Sequence, residues 1–163
     1  MKGLGAMSSP SNRKSSEGAD MTPAKTNRQL VETFFNVMWN GWSETTMREI
    51  LAVDIDFRGS IGLQVSGHDG FLGYMHTIRD AFPDFHNHIE DIIATDERAV
   101  ARLTYSGTHR GELLGCAPTG RRIEYAGVAM FTIAGDRIFK VWVLGDLWGL
   151  MQQLNGTDNT KAQ

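Results

Sequence analysis

Between residues 85 and 145 the chain repeatedly alternates apolar and polar side chains, and helical spacing is found before that stretch and again after Asp146. The alternating stretches are "FHNHIEDIIAT", "AVARLTYSGTHRG", "RRIEYAGVAMFTI" and "RIFKVWVLG". A period of two puts every second side chain on one face, as in a strand with one face buried. The connections are the turn "DER", the Gly/Pro-bearing loop "ELLGCAPTG" and the turn "AGD". Helices followed by a run of long strands predict an α+β fold, with helices packed on one face of a curved antiparallel sheet. A sheet that curls around helices leaves a pocket, lined by alternate strand side chains.

The helical part begins with "TNRQLVETFFNVMWN", where Leu30, Phe34, Val37 and Met38 form a stripe widened by Phe35 and Trp39, and Thr26 is the predicted N-cap. A second, short helix is expected over "SETTMREILA", capped by Ser43, and then a strand over "DIDFRGS". "SGHDGFLGYMHTIRDAF" predicts a third helix with Phe71, Tyr74, Met75 and Ile78 on one face, stopped by Pro83. Residues 1–24 and 155–163 hold few large apolar groups and are read as disordered tails around a folded unit at 25–154.

A chain of 163 residues can bury a core without staples, and its single cysteine, Cys116, allows no internal disulfide. The net charge of −3 leaves no basic field for a phosphate backbone, so no nucleic-acid partner is expected. No apolar run reaches the roughly 20 residues needed to span a bilayer. The reading is therefore a soluble, cytoplasmic protein with no membrane partner.

The segment "AFPDFHNHIEDIIATDERAVARLTYSGTHRGELLGCAPTGRRIEYAGV" and the later "GDRIFKVWVLGDLWGLMQQL" carry a family resemblance. T-x-x-G-T-H-x-G followed by P-T-G-R-R, and the closing W-x-x-x-D-x-x-G-L-x-x-Q-L, resemble the SnoaL-like polyketide cyclases of the nuclear transport factor 2-like superfamily. The resemblance covers about residues 28–154. It implies a cone-shaped, curved antiparallel or mixed sheet wrapped around the N-terminal helices. It also implies cofactor-free ring closure of a small hydrophobic carbonyl-bearing ligand by intramolecular aldol condensation, with a pocket aspartate as acid/base. By motif position that aspartate is Asp146. The family's sheet can pair through its outer face, which implies a homodimer. Two positions depart from the pattern: Val141 stands where many members have His, and "FRGS" stands where many have an acidic or amide residue followed by His. The same fold hosts other chemistries and binding modules, so the alternatives are a non-catalytic ligand-binding or dimerisation module and a hydratase or dehydratase.

Asp146 has two readings. Asp is among the best N-cap residues and "LWGLMQQL" follows with helical spacing. Burial among Trp142, Leu144 and Trp148 would instead raise its pKa and suit it to proton transfer. His109 shares a face with Leu103, Tyr105 and Gly107; it is a candidate catalytic residue or an anchor for the following loop. Arg58 is a candidate for binding an enolate or carboxylate, or else a surface ion-pair partner. Trp142, Tyr105, Tyr74, Trp39 and Phe35 are candidate substrate-binding walls, although most such aromatics are core. Lys140 shares strand parity with Trp142, which sits poorly with a dry face unless a bulge at Gly145 resets the register. His86 and His88 are expected to face outward, and "GHDGFLG" lacks a phosphate-loop lysine, so neither a metal nor a cofactor is expected.

Overall fold

The computed structural model describes residues 26–157. The predicted tail at 1–24 and most of that at 155–163 lie outside the described residues. Helix α1 (Asn27–Glu32) starts at the expected cap: the Thr26 hydroxyl accepts from Gln29 N–H while the Gln29 side chain accepts from Thr26 N–H. The chain then widens into a π-helical stretch, Thr33–Trp39, in which Asn40 N–H donates five residues back to Phe35. This extra residue per turn buries the pairs Phe34, Phe35 and Met38, Trp39 together and turns Val37 outward, against the regular helical spacing. Ser43 caps α2 (Glu44–Ile50).

Leu51 and Ala52, expected as helix, instead begin β1 (Leu51–Arg58). A register shift between Leu51 and Asp56 accounts for two consecutive buried residues there. A short β2 (Gln64–Ser66), not foreseen, leads into α3 (Gly67–Ala81), which buries Phe71, Tyr74, Met75 and Ile78 as the spacing required. Strands β3 (His86–Ala94), β4 (Arg98–Thr108), β5 (Arg122–Ala134) and β6 (Arg137–Gly145) follow, then α4 (Leu147–Asn155).

The six strands form one sheet in the order β2-β1-β6-β5-β4-β3. β1 runs parallel to β6, and every other pairing is antiparallel. Ile123, Tyr125, Ala129, Phe131 and Ile133 of β5 point inward with Leu103 and Tyr105 of β4 and Val141 and Val143 of β6. Against this face the first helical segment lays its aromatics. Phe131 takes Phe34 and Phe35 edge-on, at centroid distances of 5.2 and 5.9 Å. His86 and His88 are exposed, as expected from their strand face.

Tyr105 can lean across to β5 only because Gly127 carries no side chain; a Cβ there would overlap the Tyr105 ring. Gly127→Ala is expected to lose about 1–3 kcal/mol of stability by overpacking, seen as a lower urea midpoint at unchanged m-value.

Candidate functional site

A hollow lies between the helices and the inner sheet face. Its walls are Phe34, Phe35, Trp39, Phe57, Ile78, Phe85 and Val143, with Ser60, Tyr74, Asn87 and Tyr105 contributing polar atoms. The cavity volume is about 20 Å³. That holds a water molecule and not a ring system, so a larger ligand enters only if wall aromatics turn aside. The expected wall residues Phe35, Trp39, Tyr74 and Tyr105 are therefore brought together here.

Tyr74 and Tyr105 line the hollow and Tyr125 is bonded to its Ser60, each tyrosine set against a glycine. A Cβ on Gly59 would overlap the Tyr74 ring, one on Gly127 the Tyr105 ring, and one on Gly145 would stand 3.1 Å from the Tyr125 ring and 3.0 Å from the Ser60 carbonyl. Tyr105 and Tyr125 face each other across β4 and β5, with ring centroids 5.0 Å apart. The Tyr125 and Ser60 hydroxyls are hydrogen-bonded at 3.1 Å. The Tyr74 hydroxyl lies beside Ser60 and Ile61, yet no described residue holds it in hydrogen-bonding geometry. Burial pushes all three phenols above the ordinary tyrosine range, and nearness to one another raises Tyr105 and Tyr125 further. They are hydrogen-bond donors near neutral pH, not bases. On β3, Asn87 lies opposite Tyr105 and is held by Asn40, whose side-chain oxygen accepts from both Asn87 nitrogens at 2.8 and 3.0 Å.

The acidic candidate is elsewhere. Asp146 is exposed and caps α4, its Oδ1 accepting from Gly149 N–H at 2.9 Å. Gly149 is what lets the carboxylate approach, since a Cβ there would overlap it. The carboxylate lines a groove with Thr104, Glu124, Ala126, Gln152 and Gln153. The expected burial among Trp142, Leu144 and Trp148 is thus corrected, because all three are themselves exposed. The reason is strand parity. Val141 and Val143 face in, so Lys140, Trp142 and Leu144 face out, and Asp146 continues on that side. The irregularity in the β5–β6 ladder falls at Thr132/Ile133, not at Gly145, and Lys140 reaches Asp56 at 2.8 Å.

Trp142 is accordingly an outer-face residue rather than a wall of the hollow. Arg58 lies over its ring, 5.2 Å from the centroid, and donates to the Val143 carbonyl. Neither lines the hollow. His109 is fully buried but does not line it either. Its Nδ1 accepts from Thr119 N–H at 3.2 Å, and its backbone pairs with Gly120 and Arg121. This ties down the loop after β4, as the anchoring reading expected.

Ser60, Tyr125, Phe57, Phe85 and Asn87 were not among the candidates. Tyr125 was accessible from the alternation Ile123, Tyr125, Gly127, Ala129. Ser60 lies outside any strand, and nothing in its local sequence marks it.

A curved sheet closed over helices around a small aromatic hollow defines the class: cone-shaped α+β proteins with an internal pocket. Residues 29–154 match the family model described as SnoaL-like polyketide cyclase, and the chain belongs to that family. No curated protein matches it. Among solved structures it is similar to a proposed SnoaL-like polyketide cyclase from Jannaschia sp. CCS1, with 21% identity and a TM-score of 0.73 over 84% of this chain and 97% of that one. IdmH from Streptomyces antibioticus, a proposed polyketide cyclase, is 26% identical with a TM-score of 0.69 over 78% and 97%. AclR from Streptomyces galilaeus, a proposed hydroxylase, is 25% identical with a TM-score of 0.68 over 78% and 83%. Among the described residues no helix is long and apolar enough to cross a membrane.

Burial holds the His109 pKa below its ordinary value. The unfolded chain then binds a proton near pH ~6.5, while the folded one does so only at lower pH. Between those values unfolding takes up a proton, so stability falls as pH drops. The thermal midpoint of the wild type should fall more steeply between about pH 7 and 5 than that of His109→Gln; parallel curves would remove His109 from the account.

Proposed function

We propose that this chain is a cofactor-free cyclase-type enzyme that closes a ring in a small, hydrophobic, carbonyl-bearing substrate by intramolecular aldol condensation. The observation that carries this reading is an aromatic hollow with buried hydroxyls in a chain of the SnoaL-like family. A base removes a proton from carbon next to carbonyl groups. The carbanion attacks a second carbonyl of the same molecule, and the resulting alkoxide recovers a proton. The phenols are donors, and no carboxylate or imidazole lines the hollow. The acid/base in this reading is Asp146. It stands directly after Gly145, which packs on Ser60 of the hollow wall. Its cap bond is worth only about 1 kcal/mol, a small cost for releasing the carboxylate to a substrate at the rim.

One observation favours a second reading, ligand binding without turnover: in the structure the Asp146 carboxylate serves α4 and faces away from the hollow. Asn is as good an N-cap as Asp but cannot take the proton, so Asp146→Asn separates the two. The enzyme reading expects a turnover loss of at least ~100-fold with the melting temperature nearly unchanged. Unchanged turnover removes Asp146 as the base. Asp146→Ala should in addition lose about 1 kcal/mol of stability through the missing cap.

The same chain is proposed to form a homodimer through the outer face of β5 and β6. There Val128 pairs with Leu144 and Met130 with Trp142, and all four side chains are exposed. A contiguous apolar patch of this kind favours a partner surface over water. Sedimentation should show a dimer for the wild type and a monomer for Leu144→Glu; a monomeric wild type at high micromolar concentration would refute the pairing.

A further inference from the structure

Tyr74 brings a buried phenol that the fold does not satisfy. Its side chain is 4% exposed, its hydroxyl has no partner among the described residues, and it borders the hollow. A buried hydroxyl left unmade costs about 1–3 kcal/mol, and native structures retain few of them. Beside it, Ser60 and Tyr125 share one hydrogen bond and use one of their two protons in it. The second proton is available to another acceptor. Arg58 stands close enough for its positive charge to offset, in small part, the upward push that burial gives the Tyr74 phenol. The remaining wall surface is aromatic or aliphatic, apart from Asn87.

Resting on the cyclase reading and deepening it, we infer that Tyr74 and the Ser60–Tyr125 pair form an oxygen-binding subsite. It takes a carbonyl or enolate oxygen carried by a flat apolar ligand, whose hydrocarbon part lies along Trp39, Phe57 and Phe85. Donors held in a dry site act most strongly on an oxygen that gains charge during reaction. Tyr74 and Ser60 therefore both position the ligand and favour its enolate over its keto form. Gly59 is part of the device: without a Cβ it lets the Tyr74 ring lie against the backbone next to Ser60.

The test uses 4-nitrophenol, a flat aromatic whose phenolate is coloured and mimics an enolate oxygen, with nitrobenzene as the analogue lacking that oxygen. Titrated into the full chain, the wild type should bind the phenolate and lower the apparent pKa of the bound phenol. Tyr74→Phe, which keeps the ring, should weaken phenolate binding by about tenfold or more and leave nitrobenzene binding unchanged. Ser60→Ala should act in the same direction, and the melting temperature of each variant confirms that it is folded. Phenolate affinity unaffected by both substitutions, or no preference of the wild type for phenolate over nitrobenzene, would overturn the subsite. Phenolate binding that persists in Asp146→Asn supports the subsite even where no product forms, so failure of the cyclase reading is seen separately.

Discussion

Hydroxyl groups carried into a buried aromatic hollow are the constraint on which the rest of this molecule turns. Each must find a partner inside, because the walls supply almost none. Ser60 and Tyr125 satisfy each other, Asn87 is held by Asn40, and the Tyr74 hydroxyl is left over. The packing that makes this possible is steric. Large rings from α3, β4 and β5 lie on positions where the backbone carries no side chain, at Gly59, Gly127 and Gly145. Small residues beside large ones let a curved sheet pack closely against the helices.

The two sides of the sheet have opposite characters, and the distribution of function follows from that. The inner side is aromatic and hydroxyl-bearing, and among the described residues no carboxylate lines its hollow. The outer side of β5 and β6 carries Val128, Met130, Trp142 and Leu144 together with the Lys140–Asp56 pair, and its rim carries Asp146. Between them the sheet is one backbone thick. A residue's face is decided by strand parity, and a shift of one position moves it from hollow to surface. Arg58 shows the same logic: its guanidinium lies on the outer Trp142 ring, while its charge is still felt at Tyr74.

Much of the fold was legible because it follows from local periodicity. The buried stripe of α3, the alternation of β4 and β5 and the cap at Thr26 all appear where spacing put them. Val37 escaped because the π-helical turn changes the residue count per turn, which no apolar pattern of ordinary period reveals. Trp142 and Asp146 were misplaced because an apolar strand with side chains of both parities hydrophobic does not say which face is inside. Lys140 was the one residue carrying that information, and its parity indicated the outer face. His109 was correctly placed on the inner parity, but its partner, Thr119, comes from ten residues along the loop.

The amino-acid sequence by itself determined the order of the main helices and long strands, the α+β class and the family, because these rest on periodicity, capping and motif spacing along the chain. It also determined that Phe35, Trp39, Tyr74 and Tyr105 would turn inward. Only the tertiary structure decided that Ser60 meets Tyr125 across 65 positions, that Tyr74 is left without a partner and that Asp146 faces the groove. Those outcomes depend on how the sheet curls and on which rings find a bare backbone to rest on, and such distances are not encoded in any short stretch of residues.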